Sequence, residues 1–68
     1  RAAELFKALQ QLPDKQRIAF TLHRLEAQRH QDIAAVMELS VTAVESLIAR
    51  AKGNLRQILK DYYEKNVA

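Results

Sequence analysis

Thr42, Ser46, Ala49 and Gly53 recur at steps of four, three and four along the chain. On a helix of 3.6 residues per turn that spacing gathers four small side chains on one face. Glu45 and Arg50 flank the stripe on either side, and Arg56 and Lys60 extend it. Such a stripe lets a helix axis approach a groove floor or another helix closely, and an ordinary solvated helix surface can carry it too. The chemistry these residues offer is recognition rather than bond making. The hydroxyls of Thr42 and Ser46 and the methyl of Ala43 suit base edges, including a thymine methyl. Glu45 can accept from a cytosine amino group, or it is a surface charge that phosphates repel. Arg50 can reach a guanine or a phosphate, and phosphate contacts are the commoner outcome.

The elements that must hold this face are legible just upstream. From His30 to Leu47 the residues form the pattern of two short helices joined by a tight turn. Ile33, Met37, Leu39, Val44 and Leu47 are apolar where two crossing helices must bury side chains, and Ala34 is small where they meet most closely. Ser40 stands where the second of the two helices begins, so its hydroxyl can accept a bond from an otherwise unpaired amide. The spacing predicts a helix over about residues 30–37, a turn at Glu38-Leu39-Ser40 and a second helix from Val41. In such a helix-turn-helix the second helix enters a DNA major groove with its N-terminal residues leading. Gln31, Ser40, Thr42, Ala43, Glu45, Ser46, Ala49 and Arg50 are then the candidate groove contacts. Arg29, His30, Lys52 and Arg56 are the candidate phosphate contacts. Exposed amides at a helix N-terminus add to that attraction.

Two further helices precede the pair. Leu5, Leu9 and Leu12 fall at i, i+4 and i+7, which predicts a helix over about residues 2–11. Pro13 breaks it, and the fixed φ of proline suits the first turn of a new helix. Asp14 adds negative charge where the helix dipole favours it. The second helix is expected from about Pro13 to Glu26, with Ile18, Leu22 and Leu25 as its inner stripe and Ala19 beside them. In the fourth helix Val44, Ile48, Ala51, Leu55, Ile58 and Tyr62 keep one phase, so it is expected to continue through Gly53 to about Tyr63. Residues 64–68 are expected to fray. The fold class is all-α, a four-helix domain with a C-terminal helix-turn-helix.

Composition limits the functions open to this fold. Residues 1–68 make one small domain, expected to be cut from a longer protein because the chain starts at Arg1. No apolar run approaches the roughly 20 residues that cross a bilayer, so no membrane partner is expected. There is no cysteine, hence no disulfide and no thiolate metal site. The net charge of +3 permits nucleic-acid binding without demanding it. His23 and His30 stand seven apart with no third ligand at metal spacing, the carboxylates are scattered, and no glycine loop could cradle a phosphate. The chain is therefore not expected to be an enzyme, and no catalytic residue, metal or cofactor is assigned. Tyr62-Tyr63 reads as a helix-end packing pair rather than a base-stacking platform.

Leu12-Pro13-Asp14-Lys15-Gln16-Arg17-Ile18-Ala19-Phe20, then Gln31-Asp32-Ile33-Ala34, then Ser40-Val41-Thr42-Ala43-Val44-Glu45-Ser46-Leu47-Ile48-Ala49-Arg50-Ala51 together resemble the fourth conserved region of bacterial sigma factors. The resemblance is nearest to the small extracytoplasmic-function group and covers about residues 5–60. It implies a cytoplasmic transcription initiation factor. This domain would read the upstream (minus thirty-five) promoter element and touch the flap of the RNA polymerase beta subunit. An anti-sigma factor covers it in many members. The departures are specific. Asp32 replaces the usual glutamate. Glu38 replaces the common turn glycine, so the turn needs a non-glycine conformation or a different geometry. Ala27-Gln28-Arg29-His30 replaces the usual Gly-Leu/Met-Ser/Thr-Tyr lead-in to the third helix. Glu45 and Leu47 stand where many members carry Lys or Arg, which implies weak binding by the isolated domain. The family's DNA-melting region is not in this sequence, so the fragment is not expected to initiate transcription alone.

Two other readings compete. The DNA-binding domain of a LuxR-type response regulator is also four-helical, but it opens Leu-Thr-x-Arg-Glu, and residues 12–17 fit the sigma pattern better. A helical protein-interaction module without DNA binding is compatible with the low charge of the early fourth helix. Salt-dependent DNA binding separates these two classes.

Overall fold

The structure, a computed structural model, describes residues 2–66. Four helices follow one another: α1 (Ala2–Gln10), α2 (Asp14–Phe20), α3 (His30–Met37) and α4 (Val41–Asn66). A π-helical turn, Thr21–Leu25, continues α2. α4 is the spine. Its 26 residues span about 39 Å at the usual rise per residue, and the other helices pack along it.

Two buried clusters share this spine. Ala8, Leu9, Leu12, Phe20, Ala51 and Leu55 join α1 and α2 to the middle of α4. Ala19, Ile33, Ala34, Val44 and Ile48 join α2 and α3 to its N-terminal half. Met37, Leu39 and Leu47 close over the second cluster partly buried, as the helix-turn-helix spacing predicts. Gln16 Oε1 accepts a 2.8 Å bond from Asn54 Nδ2, a polar tie between α2 and α4 outside both clusters.

α2 departs from expectation in two ways. Pro13 lies outside the helix as its N-cap (φ −55°, ψ 147°), so Asp14 is the first helical residue. It also buries a different face. Ala19 and Phe20 point inward, whereas Ile18 and Leu25 are 42% and 58% exposed and Leu22 is only partly buried. The helix carries two adjacent apolar stripes, and the bulk of Phe20 fills the space between Leu9, Leu12, Ala51 and Leu55. The π turn then leaves Leu22 at the margin of the second cluster and Leu25 exposed. Arg24 caps the outer edge of Phe20, its guanidinium 5.8 Å from the ring centroid, a cation–π distance.

The two turns that bracket α3 use left-handed backbone without glycine. Glu38 has φ 57° and ψ 46°. The Leu39 amide donates to Ala34 O at 2.9 Å and the Glu38 amide to Ala35 O at 3.4 Å. This is the paired helix-ending arrangement that glycine normally serves, so the turn keeps the glycine conformation rather than changing its geometry. Ala27 has φ 56°, and the Gln28 amide closes the π turn by donating to Leu22 O at 2.9 Å. A Cβ in this region costs about 1–2 kcal/mol. Glu38→Gly should therefore stabilise the domain by about 0.5–1 kcal/mol after the extra entropy that glycine gains in the unfolded chain. Thermal unfolding checks this, and an unchanged or lower midpoint would contradict it.

α4 runs unbroken through Gly53, which has no positive φ. A Cβ added there would meet nothing within 4 Å. Gly53→Ala should raise stability by up to about 1 kcal/mol, read as a higher melting temperature with unchanged helix content. The helix also outlasts Tyr63. Residues 64–66, expected to fray, are helical, while Val67 and Ala68 lie outside the described residues. Tyr62 and Tyr63 pack edge to face with ring centroids 5.4 Å apart.

Candidate nucleic-acid interface

α3 ends and α4 begins across Glu38-Leu39-Ser40, and the start of α4 is chemically capped. The Ala43 amide donates to Ser40 Oγ at 3.0 Å, and the Val44 amide donates to Ser40 O at 3.0 Å. Ser40 thereby satisfies donors that a helix start leaves open. Its oxygen is committed to the cap, and Ala43 is half-buried beneath it. α3 begins without that help. Arg29 holds the N-cap position and offers no side-chain acceptor. Its Nε instead lies 3.6 Å from Asp32 Oδ2.

The small stripe faces outward along its whole length. Thr42, Ser46, Ala49 and Gly53 are all exposed, while Val44, Ile48, Ala51 and Leu55 are buried on the opposite side. Glu45, Lys52 and Arg56 border the stripe along one edge and Arg50 along the other, all exposed. Gln31, Arg29 and His30 gather at the N-terminus of α3, where with His23 and Val41 they line a shallow hollow of about 380 Å³. Lys52 and Arg56 stand apart from that hollow, three to four turns further along α4.

The His30 side chain, a candidate phosphate contact by its position in the sequence, turns toward α4, its Nδ1 3.6 Å from Glu45 Oε2. His23 and His30 are in ring contact, with centroids 4.7 Å apart. The signal was present as two histidines seven residues apart, but only the π turn brings His23 beside the start of α3. Among the described residues no group of three His, Asp or Glu side chains is placed to hold a metal ion.

A second surface feature lies between α1 and α2. Phe6, 62% exposed, and Ile18 and Leu25 rim an apolar groove of about 320 Å³ between α1 and α2, with Leu9 and Leu22 along its floor and Arg17 at its edge. The Ile18, Leu22 and Leu25 stripe of α2 thus lines an open groove rather than filling the core.

A short capped turn, a small-faced helix aimed outward and a supporting helix crossing behind it define a helix-turn-helix domain. Residues 2–55 match the family of sigma-70, region 4, and the chain belongs to that family. It is 38% identical over 58 residues to the RNA polymerase sigma-H factor of Pseudomonas aeruginosa, a match covering 85% of this chain and 30% of that protein. The family assignment decides against the response-regulator alternative. No helix among the described residues is long and apolar enough to cross a membrane.

Proposed function

We propose that this domain reads the upstream promoter element as the C-terminal part of an extracytoplasmic-function sigma factor, directing RNA polymerase to its promoters. The observation that carries this reading is the uninterrupted exposure of Thr42, Ser46, Ala49 and Gly53 on a helix whose other side is locked into both cores. Inserted in a major groove, α4 would set Thr42 and Ser46 against base edges. Arg50 would stand on one side, and Lys52 and Arg56 would reach phosphates on the other. Gln31 and Arg29 would hold the backbone from the start of α3. Ser40 and Ala43 contribute by building the helix start rather than by reaching bases.

The test is salt-dependent binding of the chain to duplexes carrying upstream promoter elements. Some three to five phosphate contacts give a log–log salt slope of about −3 to −4.5. Arg50→Ala should weaken binding and, acting at a phosphate, reduce the slope by about 1. Absence of binding at low salt would favour the protein-interaction reading instead.

The apolar groove between α1 and α2 supports a protein contact in the same assembly. Phe6, Ile18 and Leu25 present the apolar area that a partner helix can cover, and the groove leaves the α4 stripe free. We assign it to the polymerase core, at the flap of the beta subunit. An anti-sigma factor would compete for the domain.

A further inference from the structure

We propose that His30 is a positioning residue for Glu45, holding that carboxylate where it discriminates one base pair. The inference rests on the promoter-reading function above. Glu45 stands exposed on the border of the small stripe, one turn into α4. Left free, a carboxylate there samples many rotamers and is repelled by the phosphates on either side of a groove. Held in place, it can accept from a cytosine amino group and disfavour the other pairs.

Two elements supply the hold. From the π turn, His23 Nδ1 lies 3.1 Å from the carbonyl oxygen of Gln28. A carbonyl only accepts, so Nδ1 carries the proton and the His23 ring is oriented. From the start of α3, the His30 ring rests against His23 at 4.7 Å between centroids, within the range of favourable ring contacts. That support aims His30 Nδ1 at Glu45 Oε2, 3.6 Å away on α4. An ionised carboxylate has no proton to give, so the contact is attractive only with hydrogen on Nδ1. The distance is longer than a hydrogen bond, so the contact orients the carboxylate by electrostatic attraction. Arg29, the cation at this end of α3, is directed to Asp32, which leaves His30 as the partner of Glu45.

The experiment compares base preference and salt slope, using selection from a randomised duplex library followed by binding titrations. The wild-type chain should prefer cytosine at one position by about fivefold or more, and Glu45→Ala should erase that preference. His30→Phe keeps a ring against His23 but has no donor. It should lose most of the same preference while leaving the salt slope and the melting temperature nearly unchanged. His30→Gln restores a donor and should recover much of the preference. A His30→Phe chain that retains full preference overturns the proposal and leaves the promoter reading intact. So does one that loses affinity for all sequences equally with a slope smaller by about 1, the signature of a phosphate contact. A wild-type chain that binds no duplex overturns the promoter reading itself.

Discussion

Ile33→Ala should remove a large share of the domain's stability and lower its melting temperature markedly. Ile33 is fully buried at the centre of the cluster that joins α2, α3 and α4. Cutting isoleucine to alanine in such a site removes about 2–5 kcal/mol, because lost transfer energy adds to the cavity left behind. A 68-residue domain has only about 3–10 kcal/mol of total stability at the usual 0.05–0.15 kcal/mol per residue. The site has little room to collapse. Its neighbours Ala19 and Ala34 are already small, and Val44 and Ile48 are anchored in the spine. The matched control is Val36→Ala on the same helix. Val36 is 65% exposed, so the loss should stay within about 0.5 kcal/mol. Thermal and urea unfolding by circular dichroism measure both. Equal melting temperatures for the two variants would show that the α3–α4 junction is not held by Ile33.

Ala49→Phe should produce the largest functional loss with the fold intact. Ala49 is exposed, and its helical neighbours Val44 and Ile48 point the other way. A phenyl ring there meets only solvent in the free domain, and a helix tolerates it at a cost of about 0.5 kcal/mol. Against a groove floor the ring would lift the axis of α4 from its seat and withdraw every base contact at once. Specific binding should fall toward the non-specific level, a loss of about 100-fold or more, with a melting temperature close to the parent. The proposed polymerase-core contact at the α1–α2 groove should be unaffected. Full DNA affinity in Ala49→Phe would make the stripe plain solvent-facing surface.

The local elements of this protein were legible in the residues themselves. The capping role of Ser40, the continuity of α4 through Gly53 and the outward face of Thr42, Ser46 and Ala49 all follow from periodicity and cap chemistry. These act between residues a few positions apart, so the linear sequence contains both partners of each interaction. The family resemblance rests on the same segments, and the match over residues 2–55 covers them.

How separate stripes meet depends on packing between the helices. α2 carries Ile18, Leu22 and Leu25 beside Ala19 and Phe20, and nothing within the helix ranks one face above the other. The space between Leu9, Leu12, Ala51 and Leu55 admits the Phe20 ring, so Ile18 and Leu25 become the wall of a groove. Left-handed turns at Ala27 and Glu38 are likewise imposed from outside. No local preference favours alanine or glutamate there, but burial of Ile33, with Leu22 and Leu39 packed partly buried against the same cluster, outweighs a strain of about 1–2 kcal/mol at each turn. The approach of His30 to Glu45 is the product of both decisions, since the turns around α3 set where its first residue lies against α4. Interactions between neighbours in sequence are a property of the chain, whereas the choice among competing apolar faces is made by the shape of the space the other helices leave.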